Sequence, residues 1–221
     1  MLDPQLAKAG FRARLVATVV ASTGLATLST TSTGYARTTG SFLDDGFVRG
    51  MEVTPTGFSH SAVEVVTDVQ ALTMTVRTTH PQQAAAPNRS LAAKLPQRRA
   101  FDGRVIEPVA DTLMLREEYV PAPPDTITTS PRGGLTNESG LYIVTLFAPV
   151  DVAEWVLDAM GQALRRRFSG GTIIAAGSVA IRCTQRPGAS LGQILPYETP
   201  GVAFRTVRIP WTAQTRAAVL P

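Results

Sequence analysis

The sequence predicts an α+β fold: a mixed sheet with packed helices, plus a small all-β domain inserted near its start. Three observations predict it. Leu141–Arg186 reads as strand, capped helix, glycine turn and strand in one tight run. Ala21–Arg77 changes character, with threonine, serine and glycine set between short apolar alternations. Hydrophobic residues make up 44% of the 221, enough for a real core. Charged residues are only 17%, against roughly 25% in ordinary soluble domains, which suits a chain that buries surface in an oligomer.

Residues 1–20 read as the first helix of the core domain. Asp3 suits an N-cap and Pro4 the first turn, and Leu6, Ala9, Phe11, Leu15 and Val16 follow loosely helical spacing. Gly10 counts against it. Residues 21–77 form the inserted β-domain, with strands expected at Leu25–Thr30, Tyr35–Thr38, Gly50–Pro55, Val63–Val69 and Leu72–Arg77. Turn signals fall between them at Gly34, Gly40, Asp44-Asp45-Gly46 and Pro55-Thr56-Gly57. At about 55 residues this unit sits near the lower limit for folding alone. Residues 78–99 are small, polar and proline-punctuated and read as a linker, with room for a short helix at Ser90–Lys94.

The core resumes over 100–221. Thr112–Val120 reads as a strand. Residues 121–138 form a long loop or arm, rich in Thr, Pro and Gly; it is either a β-hairpin that adds to a partner or a plain mobile loop. Leu141–Ala148 is apolar on both faces, as in a central strand covered on both sides. Asp151, with Glu154 three residues on, reads as a capping box for a helix through Phe168. Val152, Trp155, Val156, Ala159, Met160, Ala163 and Leu164 make its apolar stripe. Arg165, Arg166 and Arg167 suit its C-terminal dipole, and Gly170-Gly171 ends it. Val179–Cys183 and Val202–Trp211 read as strands, and the tail Thr212–Pro221 as flexible or docked on a neighbour.

The catalytic inventory is empty. There is no Gly-x-Ser-x-Gly elbow and no phosphate loop after Gly133-Gly134. Glu117 and Glu118 face opposite ways on a strand, which makes a poor carboxylate dyad. One cysteine and two histidines, His60 and His80, without paired spacing, give no zinc motif. No cofactor, metal or catalytic residue is therefore assigned, and no enzymatic activity. Cys183 lies in an alternating run and reads as a small core residue; a lone cysteine excludes an intrachain disulfide and fits a reducing compartment. The net charge of +4 is mild, and the basic clusters are short, without the aromatic interleaving that stacks bases. The N-terminus does not read as a signal peptide, and Leu15–Val20 is too short for a membrane span.

With these elements placed, the chain resembles the tail terminator (tail completion) proteins of long-tailed bacteriophages. The carriers are the first helix, Phe101–Pro108 leading into Thr112–Val120, the long loop, and Leu141-Tyr-Ile-Val-Thr-Leu-Phe-Ala-Pro149. The helix ending in Arg167-Phe168-Ser-Gly-Gly171, the strand Val179–Cys183 and the closing Val207-Arg-Ile-Pro-Trp211 complete them. The segment Tyr35–Met51 resembles small β modules inserted in other phage structural proteins, a departure from the compact terminator pattern. The resemblance implies a terminator-like core assembled in the host cytoplasm as a homohexameric ring at the head-proximal end, or neck, of the virion tail. Such a ring caps the tail tube, stops its polymerisation and joins the head connector or head-completion protein, through heterologous contacts closed around an axis. DNA passing its lumen would meet basic side chains in passive, non-specific contact. The candidate subunit or partner interface comprises Thr126, Thr128, Arg132 and Leu135 on the arm, with Arg165, Arg166 and Arg167. Two other readings stand beside it: another head–tail connector or tube subunit, and a host-surface binding module using Tyr35, Phe42, Phe47 and Phe58 of the insert.

Overall fold

The structure is a computed structural model that describes residues 2–96, 98–100, 107–109, 112–126 and 135–216. It overturns the α+β expectation. Among the described residues strands take 48% and two helices 14%, arranged as a closed six-strand barrel beside a half-barrel. The surplus of strand lies where composition argued for linker, turn and tail.

Helix α1 (Pro4–Val16) opens the chain, capped by Asp3, whose carboxylate accepts from the Gln5 N–H at 2.8 Å. The first sheet follows: β1 (Val19–Ser22), β2 (Ala26–Thr31), β3 (Gly34–Arg37), β4 (Glu52–Thr56), β5 (Glu64–Val69), β6 (Thr73–Val76) and β7 (Gln83–Lys94). Its order is β1-β7-β2-β3-β6-β5-β4, and β4 pairs back onto β7 from Val53↔Ala93 to Thr56↔Ser90, which closes the barrel. The supposed linker is thus the strand that closes it. β7 takes β2 along its first half and β1 along its second on one side, and β4 on the other. Asn88, at φ 60°, is a non-glycine residue in the left-handed region, and the β2–β7 register shifts across it, between Arg89 and Ala86, and again between Ala86 and Gln83. Alanine, glutamine and proline give β7 little intrinsic preference for strand, so pairing on both sides decides its conformation.

The barrel interior holds Leu28, Tyr35, Val53, Val66, Met74 and Leu91, all buried. Phe42 and Phe47 are fully buried and meet edge to face at 6.0 Å. Phe58 is half-buried, with the Arg89 guanidinium 4.8 Å from its ring centre. Tyr35, Phe42 and Phe47 of the insert are therefore core residues, and Phe58 is half-buried beside them.

The second sheet contains β8 (Arg99–Ala100), β9 (Met114–Pro121), β10 (Asp125–Thr126), β11 (Leu135–Pro149), β12 (Ile173–Ala176), β13 (Val179–Cys183), β14 (Ser190–Leu191), β15 (Leu195–Pro196) and β16 (Val202–Arg216). The main path runs β12-β13-β16-β11-β9-β8; all its pairs are antiparallel except β8–β9. β11 and β16 pair without interruption from Leu135↔Arg216 to Pro149↔Val202, so Thr212–Arg216 is strand rather than loose tail. Tyr142, Val144 and Leu146 join the main core, while Phe147 meets Ala100, Met114 and Val202 in a second cluster. This accounts for the apolar character of both faces.

Helix α2 (Ala153–Arg167) follows β11. Its N-cap is Val152, without a side-chain cap, and Asp151 instead reaches Arg49 at 3.5 Å on the surface. The capping box fails because the barrel presses on the helix start. A Cβ on Gly50, at φ 86°, would stand 2.8 Å from the Val152 Cβ and 2.9 Å from a Val156 methyl. Trp155, expected in the buried stripe, is 49% exposed. Gly171 (φ 87°) then reverses the chain, its N–H donating to the Cys183 carbonyl at 2.9 Å.

Phe11 fixes α1 to the sheet by stacking on Tyr142 at 4.4 Å and lying 6.2 Å from Phe168. Gly10 is there for proximity, since a Cβ would meet the Ala175 carbonyl oxygen at 2.5 Å. Glu117 is buried at 3% exposure and accepts from both the Arg12 guanidinium and the Tyr142 hydroxyl, tying α1 to β9 and β11. Its neighbour Glu118 is exposed, on the opposite face. Glu117→Ala removes an acceptor from a buried hydroxyl and a partner from a guanidinium. The expected loss is about 2–3 kcal/mol of unfolding free energy in a urea titration, with the same slope as wild type.

Candidate functional site

The predicted interface residues are not gathered at one point. Thr126 lies on β10, paired with Thr136 of β11, so the base of the arm is a hairpin. Leu135 begins β11 and is 40% exposed. Thr128 and Arg132 fall outside the described residues. Along Thr136–Gly140 the arm side of β11 is only half-buried, with no apolar side chain between Leu135 and Leu141. Glu138 steadies it, accepting from the Leu2 N–H at 2.7 Å and from the Thr215 hydroxyl at 2.8 Å.

Arg165, Arg166 and Arg167 close α2. The first two are exposed; Arg167 is partly buried, and its carbonyl accepts from Arg14 Nε at 2.9 Å. The Arg167 Nε is buried without a hydrogen-bond partner among the described residues. Burial, then the adjacent Arg167 charge, lowers the Arg14 pKa from its ordinary value. These arginines form a basic corner where α1 and α2 end.

A third surface was not foreseen. Trp155 shares a shallow depression between α2 and the barrel with Leu43, Phe47, Val48 and Val69, bordered by Arg49 and Asp68. Leu43 is 53% exposed. Helical spacing put Trp155 on the buried stripe, but it lies at the rim of the α2–barrel junction and stays 49% exposed.

The densest polar cluster is inside the barrel, and spacing in the sequence gave no sign of it. His60 lies between β4 and β5, Glu64 starts β5, and His80 lies between β6 and β7. Barrel closure brings their ligand-capable atoms within 4.8 Å of one another. Tyr35, from β3, donates to Glu64 Oε2 at 2.7 Å and lies 2.9 Å from His60 Nε2. The two imidazoles stack at 4.5 Å with 15° between their planes. Burial lowers the His80 pKa, Glu64 opposes that shift and His60 adds to it; burial and then Glu64 raise that of Tyr35. The missing zinc motif in the sequence thus gave no guide to which side chains the fold assembles.

Cys183 is buried, and burial pushes its thiol up to about 11, with Arg14 opposing. Nothing here activates it as a nucleophile. No family model matches this chain, and no curated protein matches it. A solved structure aligns with 57% of this chain and 82% of its own, at 22% identity and a TM-score of 0.36, and at that score it carries no argument.

A folded-state thiol pKa above the unfolded one stabilises the fold fully below the unfolded value. That contribution fades as pH rises through the folded value. Iodoacetamide is therefore expected to spare Cys183 at about pH 8 and to label it only on unfolding or near pH 11. Mass spectrometry with and without urea checks this.

Proposed function

We propose that the chain is a structural virion subunit that closes with copies of itself into a ring, caps the tail tube and joins it to the head connector. The ring is hexameric and sits at the neck, its mechanism is binding rather than catalysis, and any contact with passing DNA is passive. The arm carries this reading. Past the end of β9 the arm is β11 held between β10 and β16, and from Thr136 to Gly140 β11 carries no apolar side chain to bury. It gains by lying on a neighbour, as a strand added to that neighbour's sheet or a clasp across it.

The surroundings support the same reading. β12, at one end of the half-barrel path, exposes Ile173 at 57%. An edge strand is a template for pairing, and a closed ring of heterologous contacts covers every such edge at once. Trp155 beside Leu43 offers an aromatic anchor of the kind that dominates interface energetics. Arg165 and Arg166 project from the far end of α2 and suit an acidic partner or the lumen.

Size-exclusion chromatography with light scattering, followed by negative-stain imaging alone and with tail tubes, tests the reading. The expected result is a ring-shaped oligomer, free or seated on the tube end, that Trp155→Glu or removal of residues 127–134 reduces to monomer. A chain that stays monomeric with and without tubes overturns it. So does a position along the side of the tail.

A further inference from the structure

We propose that the barrel binds one divalent transition-metal ion of the zinc type through His60, Glu64 and His80. This inference is independent of the ring reading. It starts from a charge without a permanent counter-charge. The Glu64 side chain is 2% exposed, and its ion-pair partners among the described residues are the two histidines alone. A carboxylate that far from water needs a cation or a full set of donors. Its hydrogen bond comes from Tyr35, at Oε2.

The geometry points to an ion between the groups rather than bonds from one to another. His80 Nε2 lies 3.3 Å from Glu64 Oε2, and His60 Nε2 lies 3.5 Å from Glu64 Oε1. His80 Nε2 is nevertheless buried with no hydrogen-bond partner, so it is near the carboxylate without being aligned to it. Donor atoms held about 2.0–2.1 Å from a tetrahedral ion stand about 3.3–3.4 Å apart. The His80–Glu64 separation matches this, and the His60–Glu64 one is slightly longer. The three ligand atoms lie within 4.8 Å of one another, so a small inward shift gathers them on one ion. The two rings stack at 4.5 Å with 15° between their planes, so at least one turns on binding to bring its in-plane lone pair onto the shared ion.

The donor set selects the ion. Two imidazole nitrogens and one carboxylate oxygen suit Zn²⁺ and its neighbours, whereas Ca²⁺ and Mg²⁺ prefer oxygen throughout. Tyr35 is a positioning residue: its hydroxyl holds Glu64 Oε2 and so turns Oε1 toward His60. On binding, His60 Nε2 exchanges its contact with Tyr35 for the ion. The His60 side chain is 18% exposed and marks the route in. Water completes the fourth position. The ion links β5 to the two connections on either side of the β5–β6 hairpin, a staple for a barrel of few strands.

The test uses the untagged full-length chain, stripped with chelator and exchanged into metal-free buffer. Isothermal titration with Zn²⁺ should show one ion per chain, and elemental analysis after desalting should recover it. Bound Co²⁺ should give visible d–d bands of a four-coordinate site. Zn²⁺ should raise the melting temperature, while Ca²⁺ and Mg²⁺ should not. His60→Ala, in a connection and partly exposed, should keep its circular dichroism spectrum and lose the one-ion binding. Tyr35→Phe should keep the stoichiometry with affinity weaker by about tenfold. A wild-type chain that takes up no stoichiometric zinc overturns the proposal whatever the variants do. So does a folded His60→Ala chain that binds as well as wild type.

Discussion

Uninterrupted pairing between β11 and β16 is the frame on which the rest of this molecule is hung. At about 3.3 Å per residue the two strands form a ribbon roughly 50 Å long, with Leu135↔Arg216 at one end and Pro149↔Val202 at the other. Tyr142 and Trp211 on this ribbon receive Phe11, so α1 has a place only because the pairing sets the spacing of those rings. Where β9 stops pairing, at Pro121↔Gly140, the same ribbon runs on and becomes the arm. Where it ends, at Pro149, α2 begins and offers Val152 and Val156 to the barrel. A slip of one residue would invert both faces together, moving Tyr142 off the α1 side and Phe147 off its own cluster.

Two buried carboxylates divide the work of specifying the fold. Glu117 is held by an arginine and a tyrosine, and an arginine keeps its charge at any ordinary pH. That makes it a fixed clamp between α1 and the half-barrel. Glu64 accepts from a tyrosine hydroxyl and lies within 3.5 Å of two histidine nitrogens, with no arginine or lysine paired to it among the described residues. Glu117 thus anchors the half-barrel, and Glu64 lies inside the barrel. The docking of Gly50 on α2 joins them in one continuous hydrophobic core.

Much of the local structure was legible in the sequence. The five strands expected between Leu25 and Arg77 fall within a residue or two of β2–β6, because threonine and valine alternations between glycine turns leave few alternatives. Val179–Cys183 was read with the bounds it has. What failed shares one cause, since each failure depends on a partner distant in sequence. β7 is strand because β1, β2 and β4 flank it, whatever its alanines prefer. Asp151 faces Arg49 of the barrel side instead of capping α2, and Trp155 falls at the rim of that junction. The fold class was misjudged for the same reason, as strong helix signals at two places outweighed weak strand signals at many. His60, Glu64 and His80 make no recognisable motif because barrel closure, not sequence spacing, brings them together.

The place where the barrel joins the chain has a consequence of its own. Val19 pairs with Lys94, so the chain departs for the barrel and returns from it on neighbouring strands, one strand spacing apart. Everything between leaves and re-enters the half-barrel at one point, although it also packs on Val152 and Val156 of α2. Ends that meet in this way make a cassette, which recombination can splice into or out of a host gene as a single exchange. The lineage of residues 19–94 can therefore differ from that of the rest of the chain.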